Sequence, residues 1–233
     1  MTPQELKQQY ARGRRDFRQI DLSQSNLVWS NLIEIDLSEA NLEDAKLSAS
    51  ILKRASLTGA NLQGANLRAA DLRGTDLSRA NLKGADLGRA DLFQTNFSGA
   101  DLSEANLAEV NLYQVNFRNA NLRKANLQEL DLTQADLSGA DLREANLAGA
   151  KLQEAQLHGA NMSGLDLTQL NLNGADLSQA NLTQANLDRA QLYGANLNRA
   201  NLQDTNLHET KLTGARLSQT NLSAAHDSEV SVI

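Results

Sequence analysis

Residues Ala60–Gly74, ANLQGANLRAADLRG, read as three consecutive five-residue units, each with Leu at its centre, Asn or Asp before it and Ala before that. The same frame extends outward without insertion from Arg15 to Ala224. Its central residue, i, falls at Phe17, Leu22, Leu27 and every fifth position to Leu222, giving 42 repeats over 210 of the 233 residues. Every central residue is Leu except Phe17, Phe97, Phe117 and Met162. Position i−1 is Asp or Asn in 34 of the 42, and i−2 is mostly Ala. A register this strict makes the repeat, and not a mixed core, the organising unit of the chain.

A period of five restricts the backbone. On an α-helix it advances about 500°, so successive Leu residues would circle the helix. On a straight strand an odd spacing sends alternate Leu residues to opposite faces. If the chain turns a corner in every repeat, i and i−2 of a short extended segment point into one interior and the other three positions point out. Twelve of the 14 glycines, including Gly59, Gly64, Gly74 and Gly84, stand at i+2. That placement predicts a tight turn whose second central residue has positive φ, as in type II. The chain therefore winds as a coil with strand-like ladders between successive coils.

Ala60–Gly74 and ADLSGADLREANLAG at Ala135–Gly149 resemble the pentapeptide-repeat family, pattern A(D/N)LXX, over about nine-tenths of the chain. The resemblance implies an all-β fold, a right-handed quadrilateral β-helix with four repeats per coil. Forty-two repeats then make about 10.5 coils, and at roughly 4.8 Å between neighbours a rod of about 50 Å. YARGRRDFRQIDLS, Tyr10–Ser23, also resembles the lead-in of cyanobacterial members, among them a regulator of heterocyst differentiation.

In such a coil each Leu stacks on those 20 positions away, and Phe97 and Phe117 lie one coil apart in the column that starts at Phe17. Burial of each central side chain contributes about 1.5–3 kcal/mol before conformational entropy is subtracted. Residues 1–14 are expected to form a capping helix, 15–224 the β-helix and 225–233 a tail. Thr2-Pro3-Gln4-Glu5 reads as a capping box with Pro at the first helical position, and Gly13 as the stop. Leu6 and Tyr10 share the face that would shield the first coil. Val28, Trp29, Ile33 and Ile51 are apolar at outward positions, either as packing partners of that helix or as a separate patch. In the tail, Val230, Val232 and Ile233 either fold over the last coil or leave it to pair end to end with a second copy.

Composition excludes several function classes. With 22 Lys and Arg against 28 Asp and Glu, net −6, the chain lacks the basic excess of a sequence-independent nucleic-acid binder. No apolar run approaches the roughly 18 residues that cross a bilayer, and the N-terminus does not read as a secretory signal. There is no Cys, hence no disulfide, thiol nucleophile or thiolate metal site. A cytoplasmic location without direct nucleic-acid or membrane contact is the expectation.

Chemistry-bearing patterns are equally sparse. Thirteen Asp residues occupy the i−1 slot, so rows such as Asp71 and Asp91 read as turn hydrogen-bonders or solvated groups, not acid–base pairs. His158, His208 and His226 lie on different faces or in the tail, without metal-ligand spacing. No phosphate loop, dinucleotide fingerprint or Ser–His–Asp set is present. The chain is expected to be no enzyme and to need no cofactor or metal.

What remains is surface. Arg73, Phe93 and Tyr113 occupy i+1 on successive coils of the Leu32 face, with Tyr193 further along. Aromatic rings beside Arg have the composition of a binding hot spot; cross-strand pairing that only stabilises the ladder is the other reading. The expected function is a non-catalytic, regulatory protein–protein interaction scaffold gripping a protein through one face. The alternative is a DNA mimic that binds a type II topoisomerase, DNA gyrase, as the family's quinolone-resistance branch does. Its motive is the acidic Leu22 face with Glu43, Asp44, Asp101, Glu104, Asp141, Glu144 and Asp204, which Lys83, Arg123, Lys124 and Arg143 interrupt.

Overall fold

Thr2 starts the chain's helix as its sequence requires. In the computed structural model, which describes residues 1–226, α1 spans Pro3–Ala11. The Glu5 N–H donates to Thr2 Oγ1 at 3.2 Å and the Thr2 N–H to Glu5 Oε2 at 2.8 Å, a complete capping box. Gly13, at φ +95° with its N–H on the Tyr10 carbonyl, turns the chain out of the helix. Leu6 is fully buried.

Contacts group into two compact units, Met1–Asn121 and Leu122–Ile233. In the first, residues at i−1 bridge in parallel to residues 20 positions on, from Asp16↔Asp36 to Asp101↔Asn121, in four columns per 20 residues. The Phe17 N–H donates to the Asp36 carbonyl at 2.8 Å, and the Asp36 N–H returns to the Arg15 carbonyl at 2.8 Å. Each rung then ends in a turn closed by a bond from i+3 to i, such as Ala40 N–H to Leu37 O at 3.0 Å. Because the chain turns after one bridging residue, the ladders consist of isolated bridges, and no longer strand forms among the described residues. The expected ladder is thus present in its shortest form.

The interior of this unit is built from its central and i−2 columns. Leu42, Leu62, Leu82 and Leu102 are buried, and Ala at i−2 is buried with each of them. The Phe97 and Phe117 rings stack inside at 5.4 Å between centroids and 9° between planes. Where Thr replaces Ala, its hydroxyl finds a main-chain acceptor: Thr75 Oγ1 donates to Leu52 O and Thr95 Oγ1 to Leu72 O, both at 2.8 Å. Ser30 and Ser50 are buried at the same position without a partner for Oγ.

The preference for Asn and Asp at i−1 has a double cause. The side-chain Oδ1 accepts the N–H of i+1, as Asn61 does from Gln63 at 3.3 Å. An Asn Nδ2 also donates one coil back, Asn61 to Asn41 at 3.1 Å and Asn81 to Asn61 at 3.0 Å. These groups are therefore turn formers and rungs of a polar ladder. At the corners, i+2 is left-handed whether or not it is Gly: Gly64 stands at φ +65° and Gln24 at +56°. Polar corner residues tolerate this at a modest cost.

The second unit repeats the scheme, from Asn126↔Asn146 to Asn206↔His226. Leu132, Leu152, Met162 and Leu182 are buried, and Thr205 and Thr210 again bond carbonyls, those of Leu182 and Leu187. Burial declines at its last repeats: Leu212 is buried, Leu217 half-buried and Leu222 45% exposed. Val230, Val232 and Ile233 lie outside the described residues.

Candidate functional site

Buried Leu92 and Leu112 fix the rungs on which Phe93 and Tyr113 stand. Their N–H groups are held by the preceding i−1 side chains, Phe93 by Asp91 Oδ1 and Tyr113 by Asn111 Oδ1, each at 3.2 Å. Asn111 Nδ2 donates to Asp91 Oδ1 at 3.3 Å, and Gln94 Nε2 to Gln114 Oε1 at 2.8 Å, on either side of the ring pair. The rings stack with centroids 5.9 Å apart and planes within 12°. Phe93 is half-buried and Tyr113 is 63% exposed. The result is a stacked aromatic pair standing on neighbouring rungs.

Arg73, one rung earlier, is turned to carboxylates. Its Nε and Nη2 form a fork on Asp71, with Nε at 2.7 Å from Oδ1, and Nε lies 3.4 Å from Asp91 Oδ2. The hydrogen bond from Arg73 holds the Asp71 carboxyl below its ordinary range. Arg73 therefore bounds the ring pair through Asp91. Tyr193 belongs to the second unit, 43% exposed, with its N–H on Asn173 Oδ1 at 2.9 Å. The structure thus brings Arg73, Phe93 and Tyr113 into one neighbourhood of the first unit and describes Tyr193 within another.

Trp29 is the exposed aromatic that the pattern argument left undecided. It stands at a corner with φ +58° and is 79% exposed, so it is a separate surface feature. Ile33, by contrast, is tied to α1, because Tyr10 Oη donates to its carbonyl at 2.9 Å. An exposed Trp in a left-handed turn position is a signal readable in sequence once the i+2 corners are known.

His158 and His208 each face a polar neighbour on an adjacent coil. His158 Nδ1 lies 2.9 Å from Ser178 Oγ, and that hydroxyl also donates to Asp176 Oδ1 at 2.6 Å. The hydroxyl sits between ring and carboxylate, whereas activation of a serine puts the imidazole between them. His208 Nδ1 meets Asp188 Oδ1 at 2.7 Å. Among the described residues no group of three or more His, Asp or Glu is placed to hold a metal ion, and no helix is long and apolar enough to cross a membrane. Part of the acidic Leu22 face is internally paired: Lys83 with Glu104 at 3.7 Å in the first unit, and Arg143 with Asp141 at 2.6 Å and Arg123 with Glu144 at 2.7 Å in the second.

The family description for pentapeptide repeats matches in eight copies, over residues 16–54, 50–89, 60–99, 85–123, 100–139, 125–164, 160–199 and 200–226. The chain belongs to the pentapeptide-repeat family. Its fold resembles the known quadrilateral β-helices of that family. Among solved structures it is similar to HetL, a pentapeptide repeat protein involved in heterocyst differentiation regulation from the cyanobacterium Nostoc sp. strain PCC 7120. The two share 35% identity over 100% of each chain, with a TM-score of 0.61. QnrB1, a plasmid-mediated fluoroquinolone resistance protein, is 17% identical over 84% of this chain and 92% of its own, with a TM-score of 0.37. Rfr23 from the cyanobacterium Cyanothece 51142 is 24% identical over 66% of this chain and 99% of its own, with a TM-score of 0.30. No curated protein sequence matches.

Proposed function

We propose that this pentapeptide-repeat protein is a non-catalytic interaction scaffold with a regulatory role, holding a protein partner through the Phe93–Tyr113 face of its first unit. The observation that carries the reading is the stacked ring pair, half-buried at Phe93 and exposed at Tyr113, whose N–H groups are held by the Asp91 and Asn111 side chains. Large aromatic surface that is already ordered loses little conformational freedom on binding and is a common hot-spot material. Arg73 forms the polar edge of that contact, and Tyr193 offers a further contact on the second unit. The regulatory part is supported by the 35% identity to HetL, which is described as involved in heterocyst differentiation regulation.

Each unit winds right-handed with four faces in this reading, α1 caps the first repeats, and residues 15–224 form the body of a protein that acts in the cytoplasm. Half-buried Leu217 and exposed Leu222 favour pairing of two copies through the last repeats, which sedimentation would detect as a dimer.

The test is a tagged pull-down from lysate of the organism of origin, with a Phe93→Ser/Tyr113→Ser variant alongside. A partner recovered by the wild type and lost by a correctly folded variant is the expected result. Equal recovery by both would place the contact elsewhere, and recovery of a type II topoisomerase would replace the regulatory reading with DNA mimicry.

A further inference from the structure

Charge is unevenly spread along the chain. Five of the 22 basic residues but only two of the 28 acidic ones fall within the first 18 positions, in a protein of net −6. Four of the five, Lys7, Arg12, Arg14 and Arg15, are exposed and form no ion pair within 4 Å among the described residues, although Arg14 lies near enough to Asp16 to help the Arg18 hydrogen bond lower its carboxyl pKa. Elsewhere the usual fate of an Arg is a neighbouring acid, as for Arg54 on Glu34, Arg89 on Glu109 and Arg189 on Glu209.

The acids at this end are already engaged. Glu5 is bound in the capping box, and Asp16 takes Arg18 through Nε at 3.0 Å and Nη2 at 2.7 Å. Asp36 faces Arg18 at 3.6 Å, Glu34 pairs with Arg54 at 3.3 Å, and Glu39 accepts from Gln19 at 2.6 Å.

Two of the cations are nevertheless fixed in place by neutral groups. Arg14 donates from Nε to the Asp16 carbonyl at 2.6 Å and from Nη1 to Gln9 Oε1, with its guanidinium 4.6 Å from the Phe17 ring centroid. Arg15 donates from Nη1 to the carbonyls of Tyr10 and Arg14, both at 3.0 Å, and lies 4.0 Å from the Tyr10 ring centroid. Both keep N–H donors in reserve, because a guanidinium carries five. Their positions are set, and neither is in a salt bridge with a carboxylate among the described residues.

We infer that the Lys7–Arg15 end of the first unit is a docking surface for an acidic peptide segment of a protein partner. Complementary charge favours an acidic occupant, and pre-ordered guanidinium groups lower the cost of ordering on binding. A nucleic acid fits less well, since four cations face a phosphate backbone that the acidic remainder of the chain repels. The surface is independent of the Phe93–Tyr113 face and stands if that proposal fails.

Fluorescence anisotropy of a labelled Glu/Asp-rich decapeptide titrated with the full chain tests the inference, at low, physiological and high salt. The expected result is saturable binding that weakens with salt, and that weakens at least about fivefold in Lys7→Gln/Arg12→Gln. Arg15→Gln should weaken it as well, while Phe93→Ser/Tyr113→Ser leaves it unchanged. Circular dichroism of each variant verifies that α1 persists. Absence of binding at low salt overturns the inference, as does equal affinity in wild type and Lys7→Gln/Arg12→Gln. Tighter binding of a double-stranded oligonucleotide than of the peptide overturns it too.

Discussion

The first and last repeats are built from the same five-residue unit, yet they end differently. At the start, Phe17, Leu22, Leu27 and Leu32 are all buried, and each N–H donates to the next coil at 2.8 Å. The carbonyls on that outer edge also receive side-chain donors, Asp16 O from Arg14 Nε at 2.6 Å and Ile33 O from Tyr10 Oη at 2.9 Å. At the finish, Leu217 and Leu222 emerge, and among the described residues their N–H groups meet no acceptor. A repeat whose leucine N–H always points toward the following coil satisfies itself only while another coil follows. Outside the frame, Leu6 is buried and Tyr10 and Arg14 donate to carbonyls of the first repeats.

That contrast can be broken with charge. Leu62→Asp places an unpaired carboxylate in a fully buried column and should unfold the first unit, at a cost above about 4 kcal/mol. Leu222→Asp, at a residue 45% exposed, should cost below about 1 kcal/mol by the same chemical denaturation. Equal losses would mean that the last repeat is covered after all.

The residues of α1 come next. Leu6→Ala should cost about 2–4 kcal/mol in a denaturant midpoint, the range for truncating a buried Leu. No loss would show that α1 stabilises nothing beneath it. Tyr10→Phe removes the bond to the Ile33 carbonyl and should cost about 1 kcal/mol.

Ser50→Ala should go the other way. It deletes a buried hydroxyl without a partner and restores the commonest residue at i−2, so stability should hold or rise by about 1 kcal/mol. A clear loss would mean that Ser50 Oγ makes a bond as Thr75 does.

The smallest effect concerns acid. The side-chain hydrogen bond from Arg18 holds the Asp16 carboxyl at about 2, below its ordinary 3.8. A lowered carboxylate contributes fully above about pH 4, and the contribution is lost as pH falls through its folded value. An NMR titration of Arg18→Gln should return Asp16 toward 3.8.

Much of this was legible in the sequence because the five-residue period leaves few conformations. The inward columns, the left-handed glycine corners, the capping box and the neighbouring Phe93 and Tyr113 all follow from spacing and local chemistry. What spacing does not convey is side-chain choice between competing partners. Spacing put Arg73 beside the rings but did not give its partner: Asp71 and Asp91 lie within reach, and a carboxylate attracts a guanidinium more strongly than a ring face does. The shortness of the ladders was hidden for a similar reason, since the turn claims the residues on either side of each bridge. At Trp29 the pattern marked the position as outward but could not say whether α1 would cover it.

Amide hydrogen exchange of the wild-type chain tests the contrast between the ends most directly. The account predicts that the amides of Phe17, Leu22, Leu27 and Leu32 exchange as slowly as those of Leu62 and Leu82, while those of Leu217 and Leu222 exchange within the fastest class. Equal protection at both ends would contradict it.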